Sequence, residues 1–185
     1  MRLFTGLWPA REAVRDLSRT VGRLAAERPE QLASATANLR GFRLLPADRW
    51  HLTLRFHGDD ADPEEVGEQL AERLRAAELA PPRLRLAGSG TFAGALWLAV
   101  EPAAEQDARS LRGLVRAAGG DPDEHRAHVT AARWRRGRAR AELAALLADH
   151  VGPWFTADEV AVVRSERRAR GAEYATVRRV RLDGR

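Results

Sequence analysis

Two short segments of this chain hold residues of the right type and spacing for chemistry: His51-Leu52-Thr53-Leu54 and His128-Val129-Thr130-Ala131. Each offers an imidazole and a hydroxyl two residues apart, separated by an apolar side chain. On a β-strand successive side chains alternate between faces, so His and Thr share one face while Leu or Val packs behind it. One such strand presents a titratable nitrogen and a hydrogen-bonding hydroxyl to the same ligand. Two facing strands present two titratable groups, enough for acid–base chemistry from both sides of a small anion. A single His, or a single His-x-Thr, is more often structural, because Thr favours strands in any case. The repetition is what marks His51 and His128 as candidate catalytic groups, among only five histidines.

Other sites of chemistry find less support. The chain has no cysteine, which excludes disulfides, thiolate nucleophiles and Cys-based zinc sites. His51, His125 and His128 could in number supply a catalytic zinc. However, His125 lies three residues before His128, on the opposite face of a continuous strand, and no His-Glu-x-x-His segment occurs. No metal is expected. With no lysine, a standard phosphate-binding Gly-x-x-x-x-Gly-Lys loop is impossible, and there is no Gly-x-Ser-x-Gly elbow. His57, just past its strand, reads as structural. His125 and His150 read as incidental.

The elements that must position the two segments can be read from periodicity and punctuation. Arg2 to Trp8 reads as a strand and Ala10 to Arg28 as a helix, with Val14, Leu17, Val21 and Leu24 on one side and Pro29 ending it. Residues 30–40 are ambiguous and read as a loop with room for a helical turn, and Gly41 to Leu45 as a short strand. Trp50 to Phe56 is the strand carrying the first segment. Asp62-Pro63-Glu64-Glu65 is a helix start, with acidic residues at the positive end of the helix dipole, and that helix runs to about Glu78. Arg83 to Ala87 and Ala95 to Val100 read as paired strands, Ala103 to Ala118 as a helix, and Ala127 to Trp134 as the strand carrying the second segment. Arg140 to His150 reads as a helix, and Val160 to Ser165 and Tyr174 to Leu182 as the last strands. Each His-bearing strand is followed by a turn, a helix and two more strands. This predicts an α+β, bilobal duplicated fold: two antiparallel sheets flanked by helices around a central cleft, with pseudo-twofold symmetry. Residues 1–185 are expected to form a single two-lobed domain.

Composition bounds the partners. The formal net charge is +5, and all 31 basic residues counted as Lys or Arg are Arg. With no Ile and a single Asn (Asn38), this pattern follows GC-rich codon usage, so the arginine excess is partly background. It is also uneven, being concentrated in Arg133-Trp134-Arg135-Arg136-Gly137-Arg138-Ala139-Arg140 and in Arg164 to Arg170. Such runs either touch a polyanion or solvate a surface. The longest uncharged run, Leu86 to Val100, is too short and too interrupted by glycine to span a bilayer. A cytoplasmic, monomeric protein without membrane contact is expected.

At these residues the chain resembles the two-histidine phosphoesterase superfamily, and within it the bacterial RNA 2′,3′-cyclic phosphodiesterases, historically called 2′-5′ RNA ligases. The resemblance rests on Arg2-Leu3-Phe4-Thr5-Gly6-Leu7, Trp50 to Gly58, His128 to Arg133, and Val163-Arg164-Ser165 with Gly171 to Tyr174. It implies that His51 and His128 are catalytic, that Thr53 and Thr130 bind phosphate, and that Arg133 joins them. Five residues beyond His128, Arg133 formally points to the opposite face unless a bulge or strand end redirects it. Phe4, Phe56 and Trp134 flank the two strands and are candidates for stacking on a base, against their default role as core. The implied reaction is hydrolysis of an RNA 2′,3′-cyclic phosphate end to a 2′-phosphate, without metal or nucleotide cofactor, together with reversible 2′-5′ ligation. Implied partners are RNA with a cyclic end, including tRNA fragments, and nucleotides. Two departures stand out: Ala131 where a larger aliphatic residue is usual, and His57 where Leu is common. The competing readings are a non-catalytic RNA-binding module, and the same fold acting on another cyclic phosphate or a 2′-5′ oligonucleotide.

Overall fold

A computed structural model describes residues 2–92, 94–168 and 171–182. Residues 169–170, at the end of the second arginine run, lie outside the described residues. In chain order the elements are β1 (Arg2–Leu7), α1 (Arg11–Glu27), α2 (Pro29–Thr36), β2 (Arg43–Leu44), β3 (Leu52–Gly58), α3 (Pro63–Ala77), β4 (Arg83–Phe92), β5 (Ala95–Pro102), α4 (Glu105–Ala117), β6 (His128–Arg133), α5 (Ala141–Ala145), β7 (Phe155–Thr156), β8 (Glu159–Arg168) and β9 (Gly171–Arg181). A 3₁₀ turn, Ala47–Arg49, precedes His51.

The strands form a mixed helix-and-strand fold with the order β7-β4-β5-β6-β3-β1-β8-β9, all of these neighbours antiparallel, and β2 added to β6. Two halves are visible in this order, β7-β4-β5-β6 and β3-β1-β8-β9, with β3, which His51 immediately precedes, and β6, which opens on His128, meeting in the middle. The two expected sheets are therefore joined into one curled ladder, but by a single pair, Leu52 opposite Val129. Beyond that pair the strands diverge, and β2 takes the free side of β6.

Local chemistry accounts for the helices. Asp62 caps α3, its carboxylate accepting hydrogen bonds from the N–H groups of Glu64 and Glu65 at 2.8 and 2.9 Å. Leu70, Ala71 and Leu74 are its buried stripe, as Ala13, Leu17 and Leu24 are for α1, and Leu111, Leu114, Val115 and Ala117 for α4. These stripes pack with Leu52, Leu54, Leu98, Val129, Ala131 and Ala132 in one continuous core. The region read as a loop contains helix α2, with Pro29 at its first turn. Its period was hidden because only Ala35 is buried. The helix expected over Arg140 to His150 is regular only over Ala141–Ala145. No helix is long and apolar enough to cross a membrane among the described residues.

Candidate active site

Alternation and two bulges build the site. With Leu52 and Val129 paired and buried in the core, the residues flanking them project from the other face of the sheet. Those residues are His51, Thr53, His128 and Thr130. Antiparallel pairing sets His51 across from Thr130 and Thr53 across from His128, so each imidazole neighbours the hydroxyl of the other segment. On such a grid the two imidazoles are diagonal neighbours, a relation that spans roughly 7–8 Å.

Immediately after each threonine the ladder slips by one residue. On β3, Thr53 opposes Gly6 while Arg55 opposes Thr5, leaving Leu54 unpaired. On β6, Thr130 opposes Trp97 while Ala132 opposes Leu96, leaving Ala131 unpaired. A bulge puts one extra residue on one strand and inverts the alternation beyond it. Ala131 and Ala132 are thus both fully buried, and Arg133 returns to the face of His128 and Thr130. By the same slip Phe56 joins the face of His51, whereas Arg55 and His57 turn to the helix side, beside Gln69 and Arg73 of α3. The two bulges are related by the pseudo-symmetry, so Phe56 and Arg133 occupy equivalent places in the two halves.

Both imidazoles are tethered in the same way. His51 Nδ1 donates to the carbonyl of Arg49 at 2.8 Å, and His128 Nδ1 donates to the carbonyl of Arg126 at 2.7 Å. A carbonyl can only accept, so Nδ1 carries the hydrogen and Nε2 is the nitrogen left for chemistry. Among the described residues neither Nε2 has a protein partner, and neither do the hydroxyls of Thr53 and Thr130.

The electrostatics are asymmetric. Burial holds the His51 pKa down to about 4, aided by the charges of Arg133 and His128 and opposed by its bond to Arg49. The His128 pKa is also lowered, chiefly by burial, with contributions from His125, Arg133 and Arg126 and an opposing one from its own backbone bond. The positive charge of Arg133 thus reaches both imidazoles, in keeping with its return to their face of the sheet.

Aromatic walls hold each ring. Phe4 and Trp8 stack on His51 at centroid distances of 4.7 and 5.3 Å, and Tyr174 meets it edge-on at 5.4 Å. In the other half, Phe92 and Trp97 approach His128 edge-on at 5.1 and 6.2 Å, and Arg126 lies over both. Gly90 is required by this wall, because a Cβ there would come within 2.2 Å of the Trp97 ring. Sequence reasoning missed Trp8, Phe92, Trp97, Arg126 and Tyr174 as site residues. For Trp97 the signal was its place opposite Thr130, visible only with the β5–β6 register. His125, read as incidental, donates from Nε2 to the carbonyl of Thr53 at 2.8 Å. It braces the two strands where a single ladder pair joins them.

Two of the three stacking candidates require correction. Trp134 is buried, with its indole N–H given to the carbonyl of Gly137, because the bulge that turns Arg133 outward turns Trp134 into the core. Phe4 is buried as well, one face spent on His51. Phe56 is different: it lies beside Phe4 at 6.1 Å and is 61% exposed. His57 shares a hydrogen bond of 2.8 Å with Thr5, a fully buried hydroxyl. Among the described residues no three His, Asp or Glu side chains are grouped to hold a metal.

A curled antiparallel sheet presenting two tethered imidazoles and two hydroxyls on one face defines a two-histidine phosphoesterase. The sequence profile of the 2′-5′ RNA ligase superfamily matches residues 13–169, and the chain belongs to that superfamily. Among solved structures it is similar to TT0787 of Thermus thermophilus, at 27% identity and a TM-score of 0.69 over 98% of both chains. It is also similar in fold to Escherichia coli LigT in apo form, at 18% identity and a TM-score of 0.65 over 97% of this chain and 96% of that one. The LigT complex with 3′-AMP gives 18% identity and a TM-score of 0.64, over 98% and 96% of the two chains. No curated protein matches the sequence significantly.

Proposed function

We propose that this phosphoesterase hydrolyses the 2′,3′-cyclic phosphate end of RNA to a 2′-phosphate, with His51 and His128 as a base and acid pair. The observation that carries this reading is the matched tethering of the two rings, which leaves two Nε2 atoms, two unpartnered hydroxyls and Arg133 on one face. In the scheme one neutral Nε2 takes a proton from water as its oxygen attacks phosphorus. The P–O3′ bond breaks, and the other Nε2, protonated, gives its proton to O3′. Thr53, Thr130 and Arg133 donate to the non-bridging oxygens, whose charge grows in the transition state. We take His51, with its pKa near 4, as the neutral base and the more open His128 as the acid, a choice that the unequal burial of the rings supports. Phe56 is the exposed ring suited to stacking on the terminal base. The two imidazoles supply both proton transfers, so no step calls for a metal. A nucleotide ligand also accords with the similar fold of LigT, which has been complexed with 3′-AMP and with phosphate.

The direct test is incubation with RNA ending in a 2′,3′-cyclic phosphate in the presence of EDTA, with product regiochemistry read by NMR. A terminal 2′-phosphate is expected at an undiminished rate. A 3′-phosphate product, or loss of activity on chelation, would sink the scheme. Binding without turnover would favour the non-catalytic alternative.

The pKa directions fix a pH profile. The base must be neutral, so kcat/KM rises with pH through the His51 value of about 4. The acid must be protonated, so kcat/KM falls as pH passes the His128 value, which lies below 6.5. A bell with its maximum on the acid side of neutrality is expected. A bound phosphodiester anion raises both values, so the bell for kcat lies at higher pH. A rate climbing steadily to pH 9 contradicts the assignment.

A further inference from the structure

We propose that a track of arginines leading out of the cleft seats the phosphodiester backbone of the RNA strand next to the cyclic end, so that the substrate is an RNA chain rather than a mononucleotide. This rests on the reading of the cleft as a cyclic-phosphate site. The track forms where β2 joins the outer end of β6. Arg43 stands directly opposite Arg133, and Arg40 directly opposite Arg136. Backbone hydrogen bonds fix this register: Arg40 N–H donates to the Arg136 carbonyl, and Arg135 N–H to the Arg40 carbonyl, both at 2.9 Å.

Like charges directly across a ladder are destabilising. Here two such pairs lie close together. Among the described residues Arg40, Arg43, Arg133, Arg135 and Arg136 have no ion pair, and all five are exposed. Some arginines elsewhere do meet carboxylates, as in Arg85–Glu101 at 2.8 Å and Arg112–Asp123 at 2.6 Å, but none of those stands directly across a ladder from another arginine as Arg43 and Arg40 do. The stem of Arg135 is held across Gly41, where a Cβ would come within 3.3 Å of it. Arg133, Arg135 and Arg136 border an open hollow of about 520 Å³. One end of this row is Arg133, whose charge reaches both imidazoles. A chain with its terminal phosphoryl group between the histidines can therefore continue onto guanidiniums that lack counter-charges. Guanidinium grips phosphate with paired hydrogen bonds, and that contact supplies the opposite charge the fold withholds.

The test compares a 2′,3′-cyclic mononucleotide with a short single-stranded RNA ending in the same nucleotide. Both are assayed on wild type, on an Arg40→Gln/Arg43→Gln/Arg136→Gln variant, and on the corresponding Lys variant. Wild type is expected to show a lower KM for the RNA. If three backbone phosphates are held, affinity falls about 18-fold between 50 and 200 mM salt, from a slope of roughly −0.7 per phosphate. The Gln variant loses the RNA advantage and most of the salt slope while keeping its mononucleotide rate; the Lys variant retains much of both. Equal KM for the two substrates in wild type, with no salt dependence, overturns the track even if the variants fail to fold. Tighter binding to phosphatidylserine vesicles than to RNA also overturns it. Fluorescence anisotropy with an unreactive RNA ending in a 3′-hydroxyl separates the two readings. Salt-dependent binding without turnover keeps the track and rejects the catalytic reading; mononucleotide turnover without any gain from the chain does the reverse.

Discussion

Replacing His51 or His128 with alanine lowers kcat for cyclic-phosphate hydrolysis by about 10²–10⁴-fold, the usual worth of a positioned general acid or base. Each ring offers only Nε2 to the reaction, because Nδ1 is given to a backbone carbonyl two residues back. Alanine thus removes one proton-transfer group and leaves the hydroxyls and Arg133 in place. The double variant is expected to be little worse than the poorer single variant, since residues acting as a unit are not additive. Stability responds unequally. His51 is packed among Phe4, Trp8 and Tyr174, so its removal opens a gap and lowers Tm. His128 is less deeply buried and meets only the edges of Phe92 and Trp97, so its removal lowers Tm less. Single-turnover rates and thermal melts measured on the same preparations separate the two effects. Either variant retaining more than about a tenth of wild-type kcat contradicts the paired scheme.

Arg133→Ala is the second large effect, a loss of about 10²–10³ in kcat, comparable to removing one donor from an oxyanion-stabilising set. Arg133→Lys recovers only part of it, because an ammonium lacks the planar fork that meets two phosphoryl oxygens at once. A second readout distinguishes this from a structural role. The charge of Arg133 presses down the pKa of both His51 and His128. Its removal lets both rise, and the kcat/KM bell moves to higher pH; the Lys variant keeps the charge and shifts the bell little. An unmoved profile in Arg133→Ala, whatever the rate, places the guanidinium away from the imidazoles and defeats the assignment.

What could be read in advance followed the range of each physical signal. The α+β class, the capped start of α3 at Asp62 and the strands of the two His-x-Thr segments are local patterns, and all three stand in the structure, although the first strand begins at Leu52, one residue after His51. Helix α2 was hidden because a mostly exposed helix carries little apolar period. The aromatic walls were hidden because Trp8, Phe92, Trp97 and Tyr174 are brought to the imidazoles by other strands, and nothing in their own neighbourhoods differs from core.

The sequence by itself determined which side chains travel together along one strand: His51 with Thr53, and His128 with Thr130, each with an apolar residue between to anchor the far face. That follows from the two-residue period of an extended chain, a property of the strand alone. Only the tertiary structure decided that the two strands meet at Leu52 and Val129, and that Phe56 and Arg133 turn toward the imidazoles while Arg55, His57 and Trp134 turn away. A bulge is a mismatch between partners. It exists only once β1 and β5 have fixed their registers against β3 and β6, and no single strand carries that information.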